Sequence, residues 1–174
     1  MSEGELSNAA YDRIGGVLKR ALTGLTVDQL KAQPAGPESN PIGWLAWHIA
    51  RVQDKNFSAL LKQKEAWANA KWCDKFGIDL DSGTGTGHSQ EQVRAFDPVS
   101  SDLLLAYFEA ARTKSREYLE KVTAEDLNRP SPEGFPSTEV IRVSVARVTG
   151  DLIQHVGQIA YIRGLVDKHG WYGA

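Results

Sequence analysis

From Ile141 to Val166 the apolar side chains recur every three or four residues: Ile141, Val145, Val148, Leu152, Ile159, Ile162 and Val166, with His155 in the same series. A strip that narrow and that long lies along one face of a helix, and it must be covered over its whole length. The cover has to be other helices. The spacing predicts a helix from about Ser137 to Val166 and three more like it. One runs from about Leu6 to Leu22, with Ala9 or Ala10, Ile14, Val17, Leu18 and Ala21 inward. A second starts with Asn40 as cap and Pro41 in the first helical position, and continues to about Gln63 with Leu45, Ile49, Val52 and Leu60 inward. A third starts near Ser100 or Ser101 and ends near Lys121, burying Leu104, Leu105, Phe108, Ala111 and Leu119. Four long helices in 174 residues predict an all-α four-helix bundle, with 1–174 as one domain.

The interruptions carry information of their own. Thr26-Val27-Asp28-Gln29-Leu30 has the form of a capping box opening a short helical turn, and Thr123-Ala124-Glu125-Asp126-Leu127 repeats it. Each is followed by a Pro-rich stretch, 34–40 and 129–137. Ala50-Arg51-Val52 and Ala146-Arg147-Val148 echo one another as well, which suggests two similar helix–turn–helix halves. Between helices two and three, from Lys64 to Val99, the helical pattern dissolves into a long loop. Trp67 to Phe76 is read there as a short helix, and Asp79 to Gly87 as an exposed Gly-, Ser- and Thr-rich segment too flexible to pack. A loop of this length in a compact domain is often a lid or binding element.

Composition excludes several classes. The formal net charge of -2 gives no electrostatic footprint for nucleic acid. No apolar run approaches the roughly 20 residues a membrane helix needs, and the acidic, polar start Met1-Ser2-Glu3-Gly4-Glu5 is the opposite of a secretory signal. The one cysteine, Cys73, permits no intramolecular disulfide, and a cytoplasmic location is expected.

The residues that carry chemistry cluster on helices two and four. Asp151 lies one turn before His155, so both project from one strip of helix surface beside an apolar seam. A carboxylate there requires a partner, because an unpaired buried charge is strongly unfavourable. His48, in the series Pro41, Leu45, His48, Val52, reaches the same interior if helices two and four are neighbours. Two imidazoles and one carboxylate form a facial set that leaves coordination positions open for water or substrate. The plainer reading is a hydrogen-bonded core histidine and a modest Asp–His pair, which such spacing more often means. Trp44, Trp47 and Trp72 serve either as pocket walls or as core filler. Asp54 supports His48 only if the helix geometry brings it round, Cys73 is a small side chain, and His88 in the loop and His169 in the tail are weak ligand candidates. No phosphate loop, nucleophile elbow or CxxC motif is present.

Two motifs point to a family. Helix two reads Asn40-Pro41-Ile42-Gly43-Trp44-Leu45-Ala46-Trp47-His48-Ile49-Ala50-Arg51-Val52, and helix four reads Asp151-Leu152-Ile153-Gln154-His155-Val156-Gly157-Gln158-Ile159, followed by Arg163-Gly164. Together with the helix order and the long middle loop, these resemble the DinB-like superfamily. That superfamily includes the metal-binding domain of mycothiol-dependent maleylpyruvate isomerase and the bacillithiol transferases. The resemblance implies a four-helix bundle, commonly a homodimer, holding zinc, nickel or iron on three side chains. Carried over, the ligands are His48, Asp151 and His155, with Gln158 and Arg163 belonging to the same motif. The commonest family pattern has a histidine where Asp151 stands; the isomerase is similar in having a carboxylate, glutamate, there. The isomerase also carries a further C-terminal domain that a chain ending at Ala174 lacks, so its substrate is not carried over.

The implied chemistry is a divalent metal, zinc first, with nickel or iron as alternatives, acting on a low-molecular-weight thiol or on water. Three such ligands leave the two open. A thiol transferase or isomerase and a metal-dependent hydrolase both follow, with a small-molecule substrate or thiol as partner. The rival is a non-catalytic dimeric bundle that binds a small ligand or metal without turnover.

Overall fold

The computed structural model describes residues 3–135 and 139–167. Nine helices are formed among these: α1 (Glu3–Leu22), α2 (Val27–Lys31), α3 (Ile42–Leu61), α4 (Ala66–Asn69), α5 (Trp72–Phe76), α6 (Gln90–Ala95), α7 (Ser101–Lys121), α8 (Ala124–Leu127) and α9 (Ile141–Asp167). The four long ones are the expected bundle. α3 packs against α7 and α9, and α1 packs against the same two, so the ring runs α1–α7–α3–α9. The seam of α9 faces inward, with Val145, Val148, Leu152, Ile159 and Ile162 buried against Ile14, Leu18, Leu45 and Ile49 in one apolar core. Among the described residues no helix is long and apolar enough to cross a membrane.

Helix boundaries follow local chemistry. Thr26 and Thr123 both form complete capping boxes, with Gln29 and Asp126 as the reciprocal partners, and Ser100 caps α7 by accepting from the Leu103 amide. Asn40 does not cap α3: the N-cap is Pro41, extended at φ -74° and ψ 157°, and no side chain assists it. α3 stops at Leu61 rather than Gln63 because Lys62 turns into the left-handed region at φ 56°. The last helix begins at Ile141. Ser137, its expected start, lies outside the described residues, and Val140 instead forms an antiparallel bridge with Pro130. The Ala-Arg-Val echo does not extend to structure, since Arg51 is buried and Arg147 exposed.

The first half of α3 is buried on every side, Ile42 through Arg51 without a break. An apolar helix with no polar face needs cover all round, and the 62–99 excursion provides it on the side away from the bundle. Trp67 and Phe76 from α4 and α5 stack on one another, and both pack at steeper angles on Tyr107 of α7. The expected short helix over 67–76 is thus two single turns separated at Ala70 and Lys71, where Lys71 takes φ 53°.

Asp54 anchors this excursion and does not support His48. Fully buried, its carboxylate accepts from the amides of Ala66 (2.9 Å) and Trp67 (2.8 Å), the Ser58 hydroxyl (3.1 Å) and the Tyr107 hydroxyl (3.0 Å). Four donors on one buried carboxylate make it an interior cap for α4. Nor is 79–87 a loose segment. The Leu80 carbonyl accepts from the Trp67 indole at 3.2 Å, and Gly85 is buried against the α3 aromatics. The glycines that look like flexibility in the sequence are there for close approach and for positive φ.

Candidate metal centre

His48 projects from α3, and Asp151 and His155 project one turn apart from α9, toward the same point between the two helices. Among the described residues these three are the one group able to hold a metal ion, their donor atoms all lying within 4.8 Å of one another. Nε2 of His48 is 3.8 Å from Oδ2 of Asp151, and Nε2 of His155 is 3.5 Å from Oδ1 of Asp151. Tetrahedral bonds of about 2.0–2.1 Å hold neighbouring donors about 3.3 Å apart. The three side chains stand slightly wider than that.

Both imidazoles are presented in the tautomer that ligation requires. Nδ1 of His48 lies 2.6 Å from the Thr84 carbonyl, which can only accept, so Nδ1 carries the proton and Nε2 keeps its lone pair. Nδ1 of His155 lies 2.8 Å from Oε1 of Gln158 and donates to it in the same way. A ligating histidine held through its other nitrogen by a carbonyl is the usual outer arrangement of a metal site. Trp44 fixes the plane of His48 by lying flat on it, with centroids 4.9 Å apart and planes 5° from parallel.

The carboxylate supplies the test of fit. Oδ2 of Asp151 is sealed from solvent, and no hydrogen-bond donor among the described residues reaches it. Such an oxygen is unfavourable unless a donor or a cation meets it, and Nε2 of His48, 3.8 Å away, offers it a lone pair. A divalent ion shared by the three donors satisfies both at once.

The charges are poised accordingly. Burial pulls the His48 imidazole below its ordinary pKa, aided by His155 and His88 and opposed by the Thr84 bond and the Asp151 charge. His155 is pushed up, first by Asp151 and then by Gln158, against its burial. Burial raises the Asp151 carboxyl, but the contacts with His155, His48 and Arg147 outweigh it and leave it below the usual carboxylate range. At neutral pH the site therefore presents a neutral His48 to an ionised Asp151.

The sequence model of the DinB superfamily matches residues 10–159. The chain belongs to the DinB superfamily. A conserved protein from Enterococcus faecalis, solved by crystallography, has the same fold, with a TM-score of 0.86 and 27% identity over 97% of this chain and 99% of that one. No match is found among curated proteins. The DinB match includes α3 and α9 through Ile159, so His48, Asp151 and His155 all fall within it.

Other residues expected near this DinB site are distributed unevenly. Trp44 touches it directly and Gln158 touches it through His155. Trp47 stands one layer back, stacked on His88 and packed on Trp67 and Phe96. Trp72 is not at the site: it packs on Tyr107, with Lys75 over its ring. Arg163 is not at the site either. Its guanidinium donates to the carbonyls of Ala21 and Thr23 and pairs with Asp167, closing the C-terminal end of α1. His169 lies outside the described residues.

Two further residues contribute to the site in ways their identity in the sequence does not signal. Thr84 acts through its carbonyl, which any residue possesses, so its identity gives no signal. His88 sits beside the site and not in the flexible loop expected of it. Its Nδ1 accepts from the Trp44 indole at 3.3 Å, which makes it a brace for the ring that orients His48.

Proposed function

We propose that this protein is a metal-dependent enzyme in which His48, Asp151 and His155 hold one divalent ion, zinc first and nickel or iron otherwise, and which acts on a small thiol or on water. The observation that carries this reading is Oδ2 of Asp151, buried without a donor and facing Nε2 of His48. When bound, such an ion lowers the pKa of a coordinated thiol or water toward neutrality and so supplies a nucleophile.

The chain's own residues prepare the site for that role. Asp151 contributes the one negative charge, leaving two positive charges of a divalent ion only half balanced and favouring an anionic third party. Thr84 and Gln158 hold the imidazole tautomers. Trp44, Trp47 and His88 screen the α3 side from water, while Asp151 and His155 remain partly exposed and leave that side open to a substrate. A low-molecular-weight thiol suits the opening, because it needs one coordination position and brings its own charge.

A homodimer fits the outer face of α9. Val143, Ile153, Tyr161 and Leu165 are exposed on that helix and would supply its apolar contacts.

The 3.5 Å pair between Asp151 and His155 favours a second reading, in which the two merely form an ion pair and the bundle binds a ligand without turnover. A panel of small thiols with electrophilic acceptors, run on metal-loaded protein, separates the two. Turnover that is lost in His155→Ala supports the enzyme. Inactivity across the panel and toward hydrolysable esters, with one ion bound per chain, supports the module.

A further inference from the structure

The carbonyl that sets the His48 tautomer belongs to a segment with no regular structure, and something must hold it at 2.6 Å. Arg51, one turn beyond His48 on α3, is buried to 2% exposure. Its Nε donates to the Gly83 carbonyl at 2.9 Å, one peptide before Thr84. Its Nη1 pairs with Glu65 at 2.7 Å and donates to the Tyr107 hydroxyl at 3.2 Å, and the guanidinium lies over the Trp67 ring at 4.6 Å. One side chain thus ties Glu65 at the departure of the excursion to Gly83 midway along it. A lysine could not do this, since it lacks the fork that serves several acceptors in fixed directions.

On the other side of Thr84, Gly85 lies against the same ring system. Its φ is +91°, and a Cβ placed on it would stand 2.8 Å from Cζ3 of Trp47, 2.9 Å from Cζ2 of Trp44 and 3.3 Å from Nδ1 of His48. No L-residue with a side chain fits there without moving the segment or the rings. Thr84 is therefore held between an arginine tether and a glycine contact.

We infer that residues 83–85 are a strap that presets the metal centre, and that Arg51 and Gly85 are its positioning residues, acting on His48 through the Thr84 carbonyl. This rests on the metal reading for its effect on affinity but not for its effect on the tautomer. Neither residue reaches the donor atoms. Their effect is to hold the His48 proton on Nδ1 before any ion arrives.

The test uses the full chain, first metal-free and then titrated with zinc. In metal-free protein at pH 8, ¹⁵N spectra of the imidazoles should show His48 with Nδ1 protonated and Nε2 free. Gly85→Ala and Arg51→Lys should each convert that signal to a mixture of tautomers and weaken zinc binding by about 10–100-fold, the usual effect of losing an outer partner of a ligating histidine. Leu18→Ala, a core change on α1, controls for general destabilisation and should alter neither reading. Two results would overturn the strap: a His48 tautomer unchanged in both variants, or an equal loss of zinc affinity in Leu18→Ala. If Arg51→Lys does not fold, Gly85→Ala decides. If wild type binds no zinc, the metal reading fails, while the metal-free spectra still decide the strap.

Discussion

Oδ2 of Asp151 on α9 faces Nε2 of His48 on α3 across 3.8 Å, an acceptor opposite a lone pair, and no donor among the described residues reaches that oxygen. Two such groups repel when nothing lies between them. Asp151→Asn removes the repulsion by giving His48 a donor, and it also removes the charge that a cation needs. The metal-free variant should melt within about 2–4 °C of wild type, as expected for a change of less than about 1 kcal/mol in a chain of this size. Its zinc affinity should fall by more than about 100-fold, exceeding the effect of an outer partner. Calorimetric titration beside thermal denaturation checks both.

Metal should also act as a folding ligand. With free zinc at about 100 times its dissociation constant, binding to the native state alone adds about 2.7 kcal/mol and raises the melting temperature by about 5–11 °C. A chelator should reverse the shift, and His48→Ala should show none. Differential scanning calorimetry reads the difference directly.

The pH dependence follows from the directions of the imidazole shifts. His155 is raised above its ordinary 6.5, so in metal-free protein its pairing favours the folded state below that value and is lost as pH rises through the elevated folded value. Asp151 is depressed below 3.8, so its contribution is present above that value and is lost as pH falls through the lower folded one. Metal requires the opposite state of His155, deprotonated. The gap between melting temperatures with and without zinc should therefore widen from pH 6 to pH 8. A gap that narrows over that range would contradict the assignment of His155 as a ligand.

Much of this architecture is legible in the chain. The three-and-four spacing of α9 requires a bundle, and the i, i+4 placement of Asp151 and His155 puts two donors on one strip. The DinB match over 10–159 gives the family that the motifs around His48 and His155 resemble. What is not legible is what passes through the main chain. The 79–87 segment reads as loose because glycine, serine and threonine pack poorly as side chains, yet the segment is held by its carbonyls, on Arg51, His48 and Trp67. Arg51 and Asp54 did carry a signal, two opposite charges three residues apart on a helix whose first half is largely apolar. Their partners come from 65–67, 83 and 107, and no local pattern announces them. Trp72 and Arg163 show the converse, since an aromatic near a cysteine and an arginine near a motif are packing and capping residues here.

The Asp54 hub should be the costliest polar position in the fold. Asp54→Asn turns one acceptor into a donor that faces amide and hydroxyl donors, and it leaves Arg51 without a buried charge 3.8 Å away. A loss of about 3–5 kcal/mol is expected, as for a buried ion pair broken on one side. Urea denaturation of the metal-free protein measures it.

If His48, Asp151 and His155 bind one divalent ion, the protein should carry it through purification. Elemental analysis of protein purified without chelator or a histidine-rich tag, beside His48→Ala, tests it most directly. About one zinc, nickel or iron per chain is expected in wild type and none in the variant. Wild-type protein that stays metal-free after incubation with each ion, or a variant that retains its metal, would contradict it.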